Sequence, residues 1–249
     1  MGFRLAAHAS LASTNDEALA AARAGDPGRL WVVAQSQSAG RGRNGRAWVS
    51  EPGNLHASLL LIDPAPLARA PELGFVASLA AACALQALVG GAAKIALKWP
   101  NDMLCDGAKI GGVLLESATL EAEGGKRLAC VAGFGVNCRS HPSEALYPAG
   151  DLSAAAGRPI DAGEALRALA AETAHWLGVW AQAGGFALVR REWLARAAGL
   201  GEHIRIARRG GDVEGVYRTI DESGRLVLDL GAAGDVSVDA GDVFLARPA

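Results

Sequence analysis

Apolar positions change their period several times along the chain, and each change marks an element. Ser-Thr-Asn-Asp-Glu at 13–17 opens an alanine-rich stretch that ends at Gly25, Asp26 and Pro27. Ser13 or Thr14 supplies a cap and Asp16 and Glu17 occupy the first turn, which predicts a helix. Residues 30–34 form a short apolar run, and 54–62 (NLHASLLLI) form a second. Both predict strands, whereas the long apolar stretch 71–89 predicts a buried helix. Three more strand-like runs follow at 94–99, 109–116 and 128–136. They are joined by Cys-Asp-Gly-Ala at 105–108 and Glu-Gly-Gly at 123–125, hairpin-like joints that favour antiparallel pairing over a crossover helix. A loop rich in Pro, Gly and Ser covers about 139–160, and helical periodicity returns over 162–183 and 186–197.

After Gly199 the texture changes. Short alternating runs at 203–207, 212–220, 225–230 and 235–239 are separated by glycine-bearing turns. Strands this short and regularly spaced predict a small β-barrel or sandwich of about 50 residues. A boundary near Leu200 divides the chain into residues 1–199 and 200–249.

Composition narrows the class. A chain of 249 residues, 51% hydrophobic and 20% charged, is long enough for one or two packed domains and too apolar for disorder. A net charge of −2 argues against nucleic-acid binding by bulk positive charge. Only four of the 24 basic residues are lysines (Lys94, Lys98, Lys109 and Lys126), so each retained lysine attracts notice. The N-terminus lacks the continuous apolar region of a signal peptide. The most apolar window, 75–91, contains Ser78 and Gln86 and falls short of a membrane span. Cys83, Cys105, Cys130 and Cys138 form no CxxC pair, so the expectation is reduced core thiols in a cytoplasmic protein without a zinc site.

The candidate chemistry sits at strand ends. Gly40-Arg41-Gly42-Arg43-Asn44-Gly45 matches GxGxxG after a strand, but Ala-Trp-Val-Ser-Glu-Pro-Gly follows instead of a helix, so the dinucleotide reading fails. What remains is a close-approaching backbone carrying Arg41, Arg43 and Arg46, suited to an anion; a plain solvated loop is the competing reading. Lys98-Trp99-Pro100-Asn101-Asp102 places a lysine at a strand end and two polar residues in a proline-forced turn. Asn101 and Asp102 suit a nucleotide or a metal-bound phosphate, or form a simple Asx turn. Lys109 opens an apolar strand whose Gly111 and Gly112 leave room for a ligand against the backbone. Gly-Phe-Gly-Val-Asn at 133–137 repeats the design.

Ser-Thr-Asn (13–15), Gln-Ser-Ala-Gly-Arg-Gly-Arg-Asn-Gly-Arg-Ala-Trp (37–48), Lys-Trp-Pro-Asn-Asp (98–102), Lys-Ile-Gly-Gly-Val-Leu-Leu-Glu (109–116) and Gly-Phe-Gly-Val-Asn (133–137) together resemble the biotin protein ligases in order and spacing. The stretch 193–244 is similar to that family's C-terminal SH3-like domain. The resemblance implies an α+β fold: a catalytic domain like that of class II aminoacyl-tRNA synthetases, with a mixed, largely antiparallel sheet, plus the small barrel. It implies that biotin and ATP, with Mg²⁺, give biotinyl-5′-AMP, and that a lysine of the biotin carboxyl carrier protein of acetyl-CoA carboxylase then takes the biotinyl group. Ser13, Thr14, Asn15 and Gln37 would hold the biotin rings; Gly40, Arg41, Gly42 and Arg43 would form the loop over biotin and the adenylate. Lys109 would contact the biotin carboxylate or the phosphoryl oxygens, with Gly112 lining the pocket. Lys98, Asn101, Asp102 and Asn137 would lie on the nucleotide side, with Arg43, Arg46 and Trp48, and Arg41, Arg43 and Lys109 would be the catalytic set. The direct metal ligands and the oligomeric state stay open, a homodimer through a sheet edge being compatible with the family. Asn44 stands where many relatives carry another basic residue. The chain starts almost at Ser13, which leads us to expect no DNA-binding helix-turn-helix and no operator binding. Within the superfamily the alternative is a lipoate or octanoate ligase; outside it, a non-catalytic biotin-binding module.

Overall fold

A computed structural model of the chain describes residues 2–122, 125–143, 148–208 and 210–245. Its first element is one that the hydrophobic pattern misses. Strand β1 (Arg4–Leu11) is a largely exposed edge strand, mostly alanines and polar residues with a leucine at positions 5 and 11, without the alternation that announces a half-buried strand. It runs parallel to β2 (Leu30–Gln37) through helix α1 (Thr14–Arg23), so the chain does open with one crossover unit. Ser13 caps α1, its Oγ accepting the Asp16 N–H at 3.4 Å.

The first sheet has seven strands in the order β1-β2-β3-β7-β6-β5-β4. Here β3 is Leu55–Ile62, β4 Ile95–Lys98, β5 Asp102–Cys105, β6 Ala108–Ala122 and β7 Gly125–Val136. Every pairing beyond β1–β2 is antiparallel, as the hairpin-like joints predict. Strand β5 is an addition: residues that suggest only a turn and a joint form a four-residue strand, with Lys98 opposite Asp102 across the hairpin. The turn expected at 123–125 falls on residues 123 and 124, outside the described residues.

Helix α1 covers one face of this sheet, and Ala18, Ala22, Leu30, Val32, Leu60 and Val131 form a small core beneath it. The other face carries α2 (Glu72–Val89), α4 (Ala162–Trp180) and α5 (Gly185–Leu194). α2 is long and apolar enough to cross a membrane, with a mean hydropathy of 1.8, but 67% of it is buried inside the fold. Its Ser78 Oγ even accepts the Trp193 indole N–H at 3.0 Å. The loop predicted over 139–160 contains a one-turn helix, α3 (Leu152–Ala156), capped by Asp151; five residues are too few to show a helical period.

The second sheet holds β8 (His203–Ala207), β9 (Val213–Ile220), β10 (Leu226–Asp229), β11 (Asp235–Val238) and β12 (Asp242–Leu245) in the order β11-β10-β9-β8-β12. It is antiparallel throughout. The two units are joined closely: the Trp99 indole donates to Gly224 O at 3.2 Å, and Arg190 donates to Ile220 O at 3.3 Å.

Candidate functional site

The N-terminus of α1, the ends of β2, β4 and β7, the starts of β5 and β6, the 41–49 loop and the start of β12 surround one cavity of about 510 Å³. Its two ends differ in chemistry. At one end the wall is neutral. Thr14 N–H donates to Gln37 Oε1 at 2.8 Å, Gln37 Nε2 donates to Ser50 Oγ at 2.9 Å, and Ser50 donates to Trp48 O at 3.1 Å. Beneath them Ser58 Oγ lies 2.7 Å from Thr14 Oγ1 and 2.6 Å from Asn15 Oδ1, and Asn15 Nδ2 donates to Glu116 Oε2 at 2.6 Å. Gly133 faces this cluster from β7, and a Cβ there would stand 2.2 Å from Asn15 Oδ1. Two residues on and on the same face, a Cβ at Gly135 would stand 2.5 Å from the Trp48 ring. The glycines of 133–137 therefore admit Asn15 and Trp48 against the sheet.

At the other end the wall is charged. Asp102 lies between two lysines, 2.7 Å from Lys109 Nζ and 3.7 Å from Lys98 Nζ. Burial pulls the Lys98 amine below the usual lysine range, against the opposing pull of Asp102. Lys109 Nζ also stands 5.5 Å above the centre of the Trp48 ring, a cation–π distance. Arg43 is largely withdrawn from water and bonds Asn101 Oδ1 and Gly241 O, each at 3.3 Å; burial lowers its pKa. Asn101 is fixed in turn by donating to Val113 O at 2.6 Å. Asn137 donates to Gly150 O at 3.0 Å.

The Gly/Arg loop is fastened at three points. Arg41 grips Asp16 through two bonds of 2.6 and 2.8 Å and reaches Glu116 at 3.0 Å, contacts that raise its pKa further. Arg43 holds Asn101, and Arg46 pairs with Asp242 from β12, with one contact at 3.2 Å. Asn44 is exposed in left-handed backbone (φ 56°), a conformation that asparagine tolerates better than a longer basic side chain. That accounts physically for the uncharged residue in an arginine-rich loop.

Fifteen of the residues singled out from the sequence line this cavity: Ser13, Thr14, Asn15, Gln37, Arg41, Gly42, Arg43, Arg46, Trp48, Lys98, Asn101, Asp102, Lys109, Gly112 and Asn137. Gly111, expected to leave room for a ligand, does not: a Cβ there would stand 2.7 Å from Gly135 O, so its bareness serves the packing of β6 on β7. Gly40 stands behind the wall, where a Cβ would meet Ser50 Oγ at 2.5 Å. Asn15 lines the cavity, yet its amide is committed to Ser58 and Glu116. Five participants escape the sequence reading, among them Ser50, which links Gln37 to Trp48 O. Ser58 and Glu116 are visible in retrospect as polar residues in apolar strands. Gly241 and Asp242 come from the second sheet and carry no local signal.

Two family descriptions match the chain: "Biotin/lipoate A/B protein ligase family" over residues 10–137 and "Biotin protein ligase C terminal domain" over residues 199–246. The biotin–[acetyl-CoA-carboxylase] ligase of Paracoccus denitrificans is 42% identical over 238 residues, covering 93% of this chain and 96% of that one. The bifunctional ligase/repressor BirA of Bacillus subtilis is 32% identical over 237 residues, covering 92% of this chain and 70% of that one. Among solved structures, the biotin protein ligase of Aquifex aeolicus in complex with biotin and ATP superimposes with a TM-score of 0.80 at 25% identity, covering 98% of this chain and 99% of that one.

Proposed function

The chain belongs to the biotin/lipoate A/B protein ligase family, and from that premise we infer how its cavity works. It is an ATP-dependent biotin ligase: it activates biotin to biotinyl-5′-AMP and transfers the biotinyl group to acetyl-CoA carboxylase. The observation that best supports an adenylate-forming site is the meeting of a neutral hydroxyl-and-amide wall with a lysine–arginine cluster in one cavity. A ureido ring needs neutral donors and acceptors, and a carboxylate brought against a triphosphate needs fixed positive charge.

Ser13, Thr14 and Gln37 hold the ureido group in this reading, with Asn15 as their support. The biotin carboxylate points to Lys109. One of its oxygens attacks the α-phosphorus of ATP, a P–O bond forms, and the bond to pyrophosphate breaks. Lys109, Lys98 and Arg43 offset the charge that builds up around that phosphorus. Arg41, with Gly42, anchors the loop over the adenylate, and Arg46 and Trp48 brace it. Asn101, Asp102 and Asn137 face the nucleotide, and Gly112 leaves room for it. A lysine amine of the carrier domain then attacks the acyl carbon, and AMP departs. The attacking groups all belong to substrates, so no protein nucleophile is required.

Asp102 and Asp242 are the carboxylates on the cavity wall. Mg²⁺ that arrives on ATP phosphates typically takes only one or two protein carboxylates, and these two fit that demand. When bound it neutralises phosphate charge. We place catalysis in residues 1–199 and the small barrel in 200–249, and the reaction in the cytoplasm, where the four free thiols stay reduced. Operator DNA is not expected as a partner at a net charge of −2. The open edge of β1 offers a surface on which two copies can pair.

Mass spectrometry of a carrier domain incubated with the protein, biotin and MgATP tests this reading. The expected outcome is the gain of one biotinyl group that requires both small molecules. Pyrophosphate release with lipoate and none with biotin would overturn it.

A further inference from the structure

Each polar side chain of the neutral wall has a fixed number of hydrogens, and following them gives every cavity-facing atom a sign. The Glu116 carboxylate only accepts. Asn15 therefore turns its amide nitrogen to Glu116 Oε2 at 2.6 Å, with Leu114 O at 3.4 Å as a second acceptor, and its amide oxygen faces away. That oxygen has no hydrogen to give, so the 2.6 Å contact with Ser58 consumes the single hydroxyl hydrogen of Ser58. The 2.7 Å contact between Ser58 and Thr14 then requires the Thr14 hydrogen, in preference to the longer 3.1 Å contact of Thr14 Oγ1 with Gln37 Oε1, which already accepts the Thr14 N–H; either acceptor uses up that hydrogen. Thr14 is left with a lone pair and nothing to donate. Ser13 ends in the opposite state, because its Oγ accepts the Asp16 N–H at 3.4 Å and its own hydrogen stays available. Gln37 also ends as a donor: Oε1 takes the Thr14 N–H at 2.8 Å, one hydrogen of Nε2 goes to Ser50 at 2.9 Å, and the second remains.

We propose that Glu116 is a positioning residue that sets the donor–acceptor polarity of the biotin wall, so that Thr14 accepts from a ureido N–H while Ser13 donates to the ureido oxygen. The proposal rests on the reading of this cavity as a biotin site and names the feature of biotin that the wall selects. Glu116 does not line the cavity; it acts through Asn15 and Ser58. Three arrangements keep the chain pointing one way. Arg41 donates to both oxygens of the same carboxylate, at 3.0 and 3.1 Å, which holds that group in place as an acceptor. Thr14, Asn15 and Ser58 are buried, so bulk water does not supply substitute hydrogens. The missing Cβ at Gly133 gives the Asn15 amide the space it occupies. Reversing the chain would leave two acceptors face to face at Glu116 or, with Asn15 turned alone, two donors at Ser58, the kind of buried mismatch that polar networks do not tolerate.

The test is calorimetric binding, without ATP, of biotin and of the cyclic carbamates in which either ureido N–H is replaced by oxygen. In the wild type one carbamate sets its ring oxygen against the Thr14 lone pair, and biotin is preferred over it by roughly 100-fold or more. Glu116→Gln can donate, so the Asn15 amide and the two hydroxyls are free to reverse; the preference drops below about tenfold. Glu116→Asp restores an acceptor-only group and recovers the preference. Asp16→Asn removes the other carboxylate on Arg41 and keeps the preference, which separates the polarity effect from loop anchoring. Ser58→Ala breaks the chain one bond further on, without touching Glu116 or Arg41, and lowers the preference as Glu116→Gln does; it also serves if Glu116→Gln does not fold. An undiminished preference in Glu116→Gln, or in Ser58→Ala where only that variant folds, overturns the proposal. A wild-type protein that binds no biotin overturns the reading on which it rests.

Discussion

The two ends of the cavity handle polar ligands by opposite means. The neutral end is a buried chain of single hydrogen bonds running from Glu116 through Asn15 and Ser58 to Thr14, and its information is direction. The charged end holds Lys98, Lys109, Arg43 and Arg46, which lie beside Asp102 and Asp242. Its information is charge, and an incoming phosphate competes with carboxylates already in place. A directional chain fails when one atom is displaced; a charge cluster degrades in steps and answers to salt.

The largest expected effect lies at the charged end. Lys109→Ala removes the 2.7 Å partner of Asp102 and leaves that carboxylate with Lys98 at 3.7 Å. Loss of one charged group that faces the reacting oxygens costs roughly 10²–10³ in kcat/KM for adenylate formation. Pyrophosphate release measures this, and an effect below about tenfold would remove Lys109 from the reaction and blur the contrast between the ends.

Gly133→Ala attacks the neutral end by steric means. The new Cβ would stand 2.2 Å from Asn15 Oδ1, with both sides held by the sheet and by α1. Overpacking of this kind costs about 1–3 kcal/mol, read as a lowered Tm, and biotin affinity should fall with it. Binding that survives unchanged would mean that the hydrogen-bonded chain bends more than its directional role allows.

Asp242→Asn should have the smallest effect on stability, because the pair it makes with Arg46 is partly open to water. Such a pair is worth about 0.2–1 kcal/mol and weakens with salt. Burial pushes the Asp242 carboxyl up, but the Arg46 pair outweighs it and holds the group below its ordinary 3.8. A carboxylate depressed in the folded state adds stability above its unfolded pKa and loses it as pH falls through the folded value. The stability difference between wild type and variant should therefore be present at neutral pH and vanish on acidification below 3.8. Denaturant melts across that range check this, and a pH-independent difference would argue that the pair is not ionic.

Much of this architecture was legible in the chain because its signals are local. The cap at Ser13, the glycines of the 40–45 loop, the proline after Trp99 and the alternation beyond Gly199 each act within a few residues. The elements that escaped had weak local signals: β1 is an exposed edge without alternation, β5 a four-residue strand beside a turn, α3 a single helical turn. Ser58 and Glu116 were visible as polar residues in apolar strands, but nothing local says what they face.

By itself, then, the sequence determined which segments carry chemistry and which family pattern they form, because caps, turns and charged loops are specified by neighbouring residues. The tertiary structure alone decided the sign and partner of each group. Asn15 meets Glu116 across 101 positions of chain, and Arg46 meets Asp242 across 196. Those meetings depend on sheet register and on the docking of a second sheet. A shift of one residue in either would send the same side chains to the opposite face.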